Sequence, residues 1–406
     1  EANGFWLTNI WNRFCADIAA HRGVTVRALN DAINNLPAHL RAAGGNAARM
    51  ALRGGLVDGL KDHQELDNYL SSLVGRSKDQ TTFRQVSMET YLSTFTPSYA
   101  DSGDSGSKIG LIVAQGDIVY GEGGVGTIGS TSLCRQIRQA RTDRQIKALV
   151  LRIDSGGGSA LAAELIRREL EVTRKSGRPV VVSMGSMAAS GAYWLAAGAD
   201  RIIASPVTLT GSIGIFGAMP TFENTLARIG VHSDGTGTTR LADAGDPARP
   251  LSEELGQAIQ MGVEDGYSRF ISIVSQGRGI PAAQVEKIAE GRVWDGLTAR
   301  KLGLVDALGS LDDAIAAARE LAGSMDAVPV YVEPPDSSLL KLLRHLGERT
   351  SRLQGLLAGP LPTRTLPPQE RRALALFTRT PDPRALYTYC LLPRSWPEPG
   401  ALFPRP

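Results

Sequence analysis

A serine followed by glycine stands after an apolar run, where its hydroxyl could act as a nucleophile. Ser190 directly precedes Gly191, and small residues with helical character follow. Free N–H groups and the dipole at a helix start favour a developing negative charge. Upstream, a second apolar run ends in glycines 156–158, whose backbone can approach a ligand closely. We expect the amides of Gly158 and Gly191 to form an oxyanion hole beside the hydroxyl. Two tight turns with no catalytic role would show the same spacing of glycines and serine.

Alternating strands and helices must position these residues. Residues 147–153 and 179–183 are short apolar runs typical of buried strands, and residues 160–175 have the spacing of an amphipathic helix. We expect residues 154–159 and 184–189 to be loops. Strands that alternate with helices predict βαβ units and a parallel sheet, so the expected fold class is α/β.

Three segments carry a family resemblance. In order they read DSGGGS, SMGSMAASGAYW and LTGSIGIFG, at residues 154–159, 183–194 and 209–217. They resemble the signal peptide peptidase A (protease IV) family in its long, double-domain form, and the resemblance covers about residues 5–335 well. It implies the Clp-protease/crotonase-like fold, a spiral of ββα units, with Ser190 as the nucleophile of a Ser–Lys dyad. The family's first segment usually reads Ser-Pro-Gly-Gly-Ser. Here Gly156 replaces the proline, which loosens the turn but should leave the Gly158 amide in place.

The base that would activate the serine is not evident in the sequence. No lysine occurs in residues 176–286. Single-domain relatives take their lysine from downstream of the serine, but here residues 235–250 contain only arginine as a basic side chain, and arginine stays protonated. By the resemblance, the long form takes its lysine from the first domain, at a position that we expect to lie before Glu1. His232 is an alternative base, but no third residue that would orient it is identifiable.

The chain contains an internal repeat. Three four-residue segments of the N-terminal part recur in order near the end of the second part: residues 11–14 and 267–270, 21–24 and 277–280, and 55–58 and 303–306. Three ordered matches indicate a duplication whose first copy lacks its front half. The predicted regions are a mostly helical remnant of the first repeat, a linker, the catalytic second repeat and a Pro/Arg-rich tail, at residues 1–97, 98–107, 108–334 and 335–406.

Composition excludes several function classes. The 406 residues are 42% hydrophobic with a net charge of +3, so we expect no nucleic-acid partner. No apolar run reaches the roughly 18 residues of a membrane-spanning helix. The three cysteines fit no metal or redox spacing, and the glycine-rich segment matches no nucleotide-binding motif. We expect no metal and no organic cofactor.

The resemblance completes the functional hypothesis. It implies a serine endopeptidase that cleaves signal peptides, anchored in the bacterial inner membrane by a segment outside this chain, with a periplasmic catalytic part and a homo-oligomeric assembly. Without the lysine, the isolated chain would be inactive. Apolar residues that could line a substrate groove, or equally form ordinary core, are Met187, Ile213, Ile215 and Phe216.

Three alternatives stay open. A crotonase-like acyl-CoA enzyme shares the fold and an oxyanion hole, although carboxylates rather than a serine usually stand near its thioester. A non-catalytic assembly domain is the second alternative. The third concerns the tail: residues 339–357 are amphipathic and could lie on an anionic membrane surface, or the tail could be a disordered or loosely docked extension.

Overall fold

The computed structural model describes residues 2–77, 82–86, 88, 91, 106–124, 126–235, 246–332 and 386–389. The chain forms two compact units, Glu1–Ser102 and Gly103–Pro406. The described part of the first unit is mostly helical, with α1 (Ala2–Arg22), α2 (Val26–Asn34), α3 (Leu36–Ala42), α4 (Ala47–Arg53) and α5 (His63–Val74). No helix of the described residues combines the length and hydropathy needed to cross a membrane.

The second unit mixes strands and helices. Its strands are β1 (Lys108–Gln115), β2 (Asp117–Val119), β3 (Thr127–Gly129), β4 (Ile146–Ser155), β5 (Gly157–Ser159), β6 (Val180–Ala189), β7 (Arg201–Ala204), β8 (Leu209–Gly211), β9 (Phe216–Gly217), β10 (Val293–Asp295), β11 (Ala307–Leu308), β12 (Val328–Tyr331) and β13 (Leu386–Tyr389). Its helices are α6 (Ser130–Thr142), α7 (Ala160–Lys175), α8 (Gly191–Ala196), α9 (Glu223–Arg228), α10 (Glu253–Arg278), α11 (Ala282–Ile288), α12 (Gly296–Lys301) and α13 (Leu311–Leu321).

A largely parallel sheet forms the centre of the second unit. Its strand order is β10-β8-β6-β4-β1-β12, with β7 also paired to β6 and β11 paired to β7. Only the β10–β8 pair is antiparallel among these described strands. Helices cover both faces: Val150 and Val181 pack with α13, whereas Leu149, Leu151 and Val182 belong to a core shared with α6, α7, α8 and α10. Burial on both faces explains the nearly continuous apolar runs of β4 and β6. The α/β class with a parallel sheet is confirmed.

The strand before Ser190 is longer than predicted. β6 continues through residues 184–189, which we expected to be a loop, because contacts from β4 and β8 extend it. Arg152 in β4 donates to the Met184 carbonyl at 2.8 Å, and the Asp154 carboxylate accepts the Met187 N–H at 3.1 Å. The predicted loop at residues 154–159 is also largely extended, since it contains the end of β4 and all of β5.

A second sheet includes part of the tail. Its order is β3-β2-β5-β13-β9. Strand β13 comes from the region that we assigned to the Pro/Arg-rich tail, so at least these four residues belong to the second unit. The amphipathic residues 339–357 lie outside the described residues.

The two repeat copies make the same local contacts. Arg22, the last residue of α1, donates from Nε to the Gly55 carbonyl at 2.9 Å, and Arg278, the last residue of α10, donates from Nε to the Gly303 carbonyl at 3.1 Å. Each arginine also pairs with the aspartate three residues after that glycine. The duplication itself stays a prediction from the sequence matches.

Candidate active site

Ser190 occupies a strained turn between β6 and α8. Its backbone angles are φ 55° and ψ −118°, a region that costs a residue with a Cβ about 1–3 kcal/mol. The Ser190 N–H donates to the Gly211 carbonyl, and its carbonyl accepts from the Trp194 N–H, both at 2.8 Å. The side chain does not cap the helix that it precedes. In α/β-hydrolases a sharp strand-to-helix turn carries the nucleophilic serine.

The two predicted oxyanion glycines lie in elements that contact each other. Gly158 is the middle residue of β5, and β5 contacts α8, of which Gly191 is the first residue. The Gly191 N–H has no acceptor within its own helix, because the first turn of a helix leaves its donors free. At Gly158, φ is +153° and a Cβ would lie 2.1 Å from the Ile118 carbonyl oxygen. Only glycine therefore lets β5 lie this close to β2.

The segment after β8 fixes the other side of the serine turn. Gly211, whose carbonyl binds the Ser190 N–H, lies against Trp294, and a Cβ on Gly211 would be 2.9 Å from that indole. Ser212 has φ 49° and donates its N–H to the Arg292 carbonyl at 2.7 Å. The acceptor for the Ser190 amide is thus held by a segment about eighty residues away in sequence. This support explains how the strained turn persists.

Residues 172–324, which include Ser190 and Gly191, match the family model of peptidase family S49. This segment is an S49 peptidase domain. Over 400 residues the chain is 40% identical to Protease 4 of Salmonella typhi, covering 96% of this chain and 63% of that protein. It is 31% identical over 320 residues to "Serine protease SPPA, chloroplastic" of Arabidopsis thaliana, covering 77% of this chain and 47% of that protein. The chain therefore spans less than two thirds of the length of these curated relatives.

A solved structure gives a weaker likeness. A mutant form of the 1510-N membrane-bound stomatin-specific protease aligns over 57% of this chain and 99% of that chain, with 14% identity and a TM-score of 0.37. A TM-score this low carries no argument, so the assignment of the S49 domain rests on the family model and the sequence relatives.

Two aromatic residues anchor the S49 domain's serine helix. The Tyr193 hydroxyl donates to the Leu304 carbonyl at 2.8 Å, and the Trp194 indole N–H donates to the Glu164 carboxylate at 2.9 Å. Trp194 also packs on Phe270 of α10, with ring centroids 4.7 Å apart. Burial raises the pKa of Tyr193, so its hydroxyl stays protonated and keeps donating. Sequence reasoning missed these anchors, because Tyr193 and Trp194 follow the serine as ordinary apolar helix residues.

Glu164 is the charged centre of this anchoring cluster. Only 8% of the residue is exposed, and its carboxylate accepts from Arg167 at 2.7 Å, Arg168 at 2.8 Å and Arg269 at 3.2 Å, besides Trp194. Burial alone would raise the pKa of Glu164, but hydrogen bonds from Arg167, Trp194 and Arg168 outweigh it and lower the pKa from 4.5 to about 2. The carboxylate is therefore ionised whenever the domain is folded near neutral pH.

We expect Glu164→Gln to destabilise the second unit by about 3 kcal/mol at neutral pH, because it leaves the largely buried Arg167 and Trp194 donors without their charged partner. A carboxyl group whose pKa is lower in the folded state than in the unfolded state stabilises the fold at pH values above its ordinary pKa. That stabilisation is lost as the pH falls from 4.5 towards about 2. The parent's free energy of unfolding should therefore decrease more steeply over this range than the variant's.

Denaturant unfolding at a series of pH values measures this difference. The matched control is Glu171→Gln, since Glu171 pairs with Arg167 and Lys175 but its side chain is one-third exposed at 33%. Solvent screens such a pair, so the control should change stability by no more than about 1 kcal/mol. Equal effects of the two substitutions would contradict the central role of Glu164.

The four predicted groove residues have different environments. Ile213 is fully buried in the main core, and Met187, only 5% exposed, packs with Ala189 in a small cluster. Ile215 and Phe216 are half-buried, and Ile215 lies against Gly266 of α10, where a Cβ would meet its Cδ1 at 2.5 Å. Phe216 in β9 stacks on Tyr387 of the tail. Of the four, Phe216 is the one whose strand pairs with the tail strand β13.

The described residues bring no base to Ser190. No hydrogen bond joins its hydroxyl to a lysine or histidine in the described part of the chain. His232 is exposed in the segment after α9. Lys147 donates to the Arg144 carbonyl at 2.9 Å, and Lys175 pairs with Glu171 at 2.6 Å. Nor do three or more His, Cys, Asp or Glu side chains cluster as a metal site within these residues.

Proposed function

We propose that this chain supplies the nucleophile and the oxyanion hole of a serine peptidase. The observation that carries the proposal is the backbone of Ser190, a residue with a Cβ held at φ 55° between a strand and a helix. A turn that strained persists only where surrounding structure enforces it, and such turns are concentrated at reactive centres. Its position inside the S49 domain supports the same function.

The chemistry follows from the arrangement. The Ser190 Oγ attacks the carbonyl carbon of a peptide bond while its proton passes to a base, forming a tetrahedral intermediate. The amides of Gly158 and Gly191 donate to the oxygen that becomes negative. The C–N bond then breaks as the leaving amine takes up the proton, which leaves an ester on Ser190 that water hydrolyses.

The base in this proposal is a lysine from outside this chain. A lysine accepts the proton only when it is neutral, and burial can lower its pKa by roughly 3–5 units. Residues 1–406 alone should then show no Ser190-dependent hydrolysis. Measurable Ser190-dependent turnover by these residues alone would place the base within them.

We further propose signal peptides as substrates, in keeping with the resemblance of the three glycine- and serine-containing segments. The same resemblance supports a periplasmic catalytic part, a membrane anchor outside this chain and a homo-oligomer.

Covalent labelling of the full-length protein tests the nucleophile. A saturating fluorophosphonate should modify Ser190 and abolish peptide hydrolysis, with the site identified by mass spectrometry of the tryptic peptide. Ser186 provides an internal comparison, because it is exposed on the same strand while Ser190 is only 1% exposed. Modification of Ser186, or of no serine in this peptide, would count against the proposal, since accessibility alone favours Ser186.

A further inference from the structure

A tail strand fills the gap between two strands of the second sheet. Strand β13 pairs antiparallel with β5 on one side, at Tyr387 with Ser159 and Thr388 with Gly158. On its other side it pairs antiparallel with β9, at Tyr387 with Phe216. β5 and β9 do not pair with each other in the sheet order. Four tail residues thus occupy a slot that is bordered by strand edges on both sides.

The slot lies at the serine turn. β5 contains Gly158, and β13 contacts α8, the helix that starts directly after Ser190, as well as α7. Ser190 itself is only 1% exposed in this structure. A nucleophile that acts on peptides must be reached by them, so a strand that is already paired beside the serine turn requires an explanation.

One side chain anchors the strand. Tyr387 is 4% exposed, and its ring stacks on Phe216 with centroids 5.8 Å apart and planes inclined by 27°. Stacked aromatic pairs contribute binding energy beyond the area that they bury. Backbone pairing on two sides provides affinity for any extended chain, and the aromatic contact adds a side-chain preference.

We propose that Leu386–Tyr389 is an internal pseudosubstrate, which occupies the peptide-binding slot of the peptidase and holds it closed to other chains. This inference rests on the proposed function of Ser190. Because both strand edges of the slot are already paired, an extended substrate can enter only after β13 leaves. The tail is covalently attached, so it competes at a millimolar effective concentration.

Whether β13 competes with other peptides for the slot can be tested in a protein that has no catalytic serine. In the full-length protein carrying Ser190→Ala, one variant ends at Ala385 and lacks β13, and a control variant ends at Pro397 and keeps it. The probe is a fluorescent peptide with the sequence of residues 383–389, PRALYTY, measured by anisotropy. We expect the variant ending at Ala385 to bind the probe at least about tenfold more tightly than the control. A probe with alanine in place of Tyr387 should bind about tenfold more weakly.

A second measurement follows the nucleophile directly. With Ser190 intact, fluorophosphonate should label it at least about tenfold faster in the variant ending at Ala385 than in the one ending at Pro397. Equal labelling rates, or equal probe affinities, would overturn the pseudosubstrate proposal. If Ser190 is never labelled although the probe still distinguishes the two variants, the peptidase proposal fails and the pseudosubstrate proposal fails with it. If labelling succeeds at equal rates in both, only the tail proposal fails.

Discussion

We expect Ser190→Ala to lower the kcat of peptide hydrolysis by the full-length protein by a factor on the order of 10⁶, the loss seen when a serine peptidase loses its nucleophile. The fold should tolerate this change. Alanine also has a Cβ, so the strain of φ 55° is similar in both proteins, and the backbone hydrogen bonds to Gly211 and from Trp194 do not involve the side chain.

The measurement is kcat and KM with a fluorogenic peptide, together with the thermal midpoint. Ser272→Ala is the matched control, because Ser272 is an exposed residue of α10 whose hydroxyl donates to the Ser268 carbonyl. The control should retain full activity. If the Ser190 variant retained activity within tenfold of the parent, Ser190 would not be the nucleophile.

Replacing Gly158 by alanine has the second largest expected effect, a loss on the order of 10²- to 10³-fold in kcat. The added Cβ would lie 2.1 Å from the Ile118 carbonyl oxygen, which is backbone and cannot rotate away. β5 must then move from β2, and the Gly158 amide moves with it. The positive φ of +153° adds strain for any residue with a Cβ.

Gly124→Ala separates this effect from a general sensitivity to glycine replacement. No heavy atom lies within 4 Å of a Cβ built at Gly124, and its φ is not in the positive region. This control should leave both kcat and the thermal midpoint unchanged. A Gly158→Ala protein with unchanged kcat would remove Gly158 from the proposed oxyanion hole, whatever its stability.

The predicted elements that depend on local pattern agree well with the structure. The amphipathic spacing of residues 160–175 predicted α7 at the bounds that the structure has, Ala160–Lys175. Apolar runs predicted the central strands, since a parallel sheet covered by helices on both faces needs such runs. The sequence also singled out Gly158 and Gly191 as candidates, because glycine adopts backbone conformations and permits close approaches that other residues do not.

Contacts between segments that are far apart in the chain could not be predicted from the sequence. The extension of β6 depends on Arg152 and Asp154 of the neighbouring strand, and the serine helix depends on Glu164 for the Trp194 contact. Strand β13 was the least predictable element. It lies in a proline-rich tail, and its pairing partners, β5 and β9, are far upstream in the chain.

The α/β class, the alternation of strands and helices, and the serine and glycine residues on which the proposed chemistry depends could all be inferred from the residues alone. These follow from hydrophobic periodicity and from residue types whose properties are local. Three features became visible in the folded chain alone: the strained angles of Ser190, the ionised buried carboxylate behind its helix and the tail strand beside it. Each of these arises from packing between segments far apart in the chain, and no local pattern encodes the partner that a strand or side chain will meet.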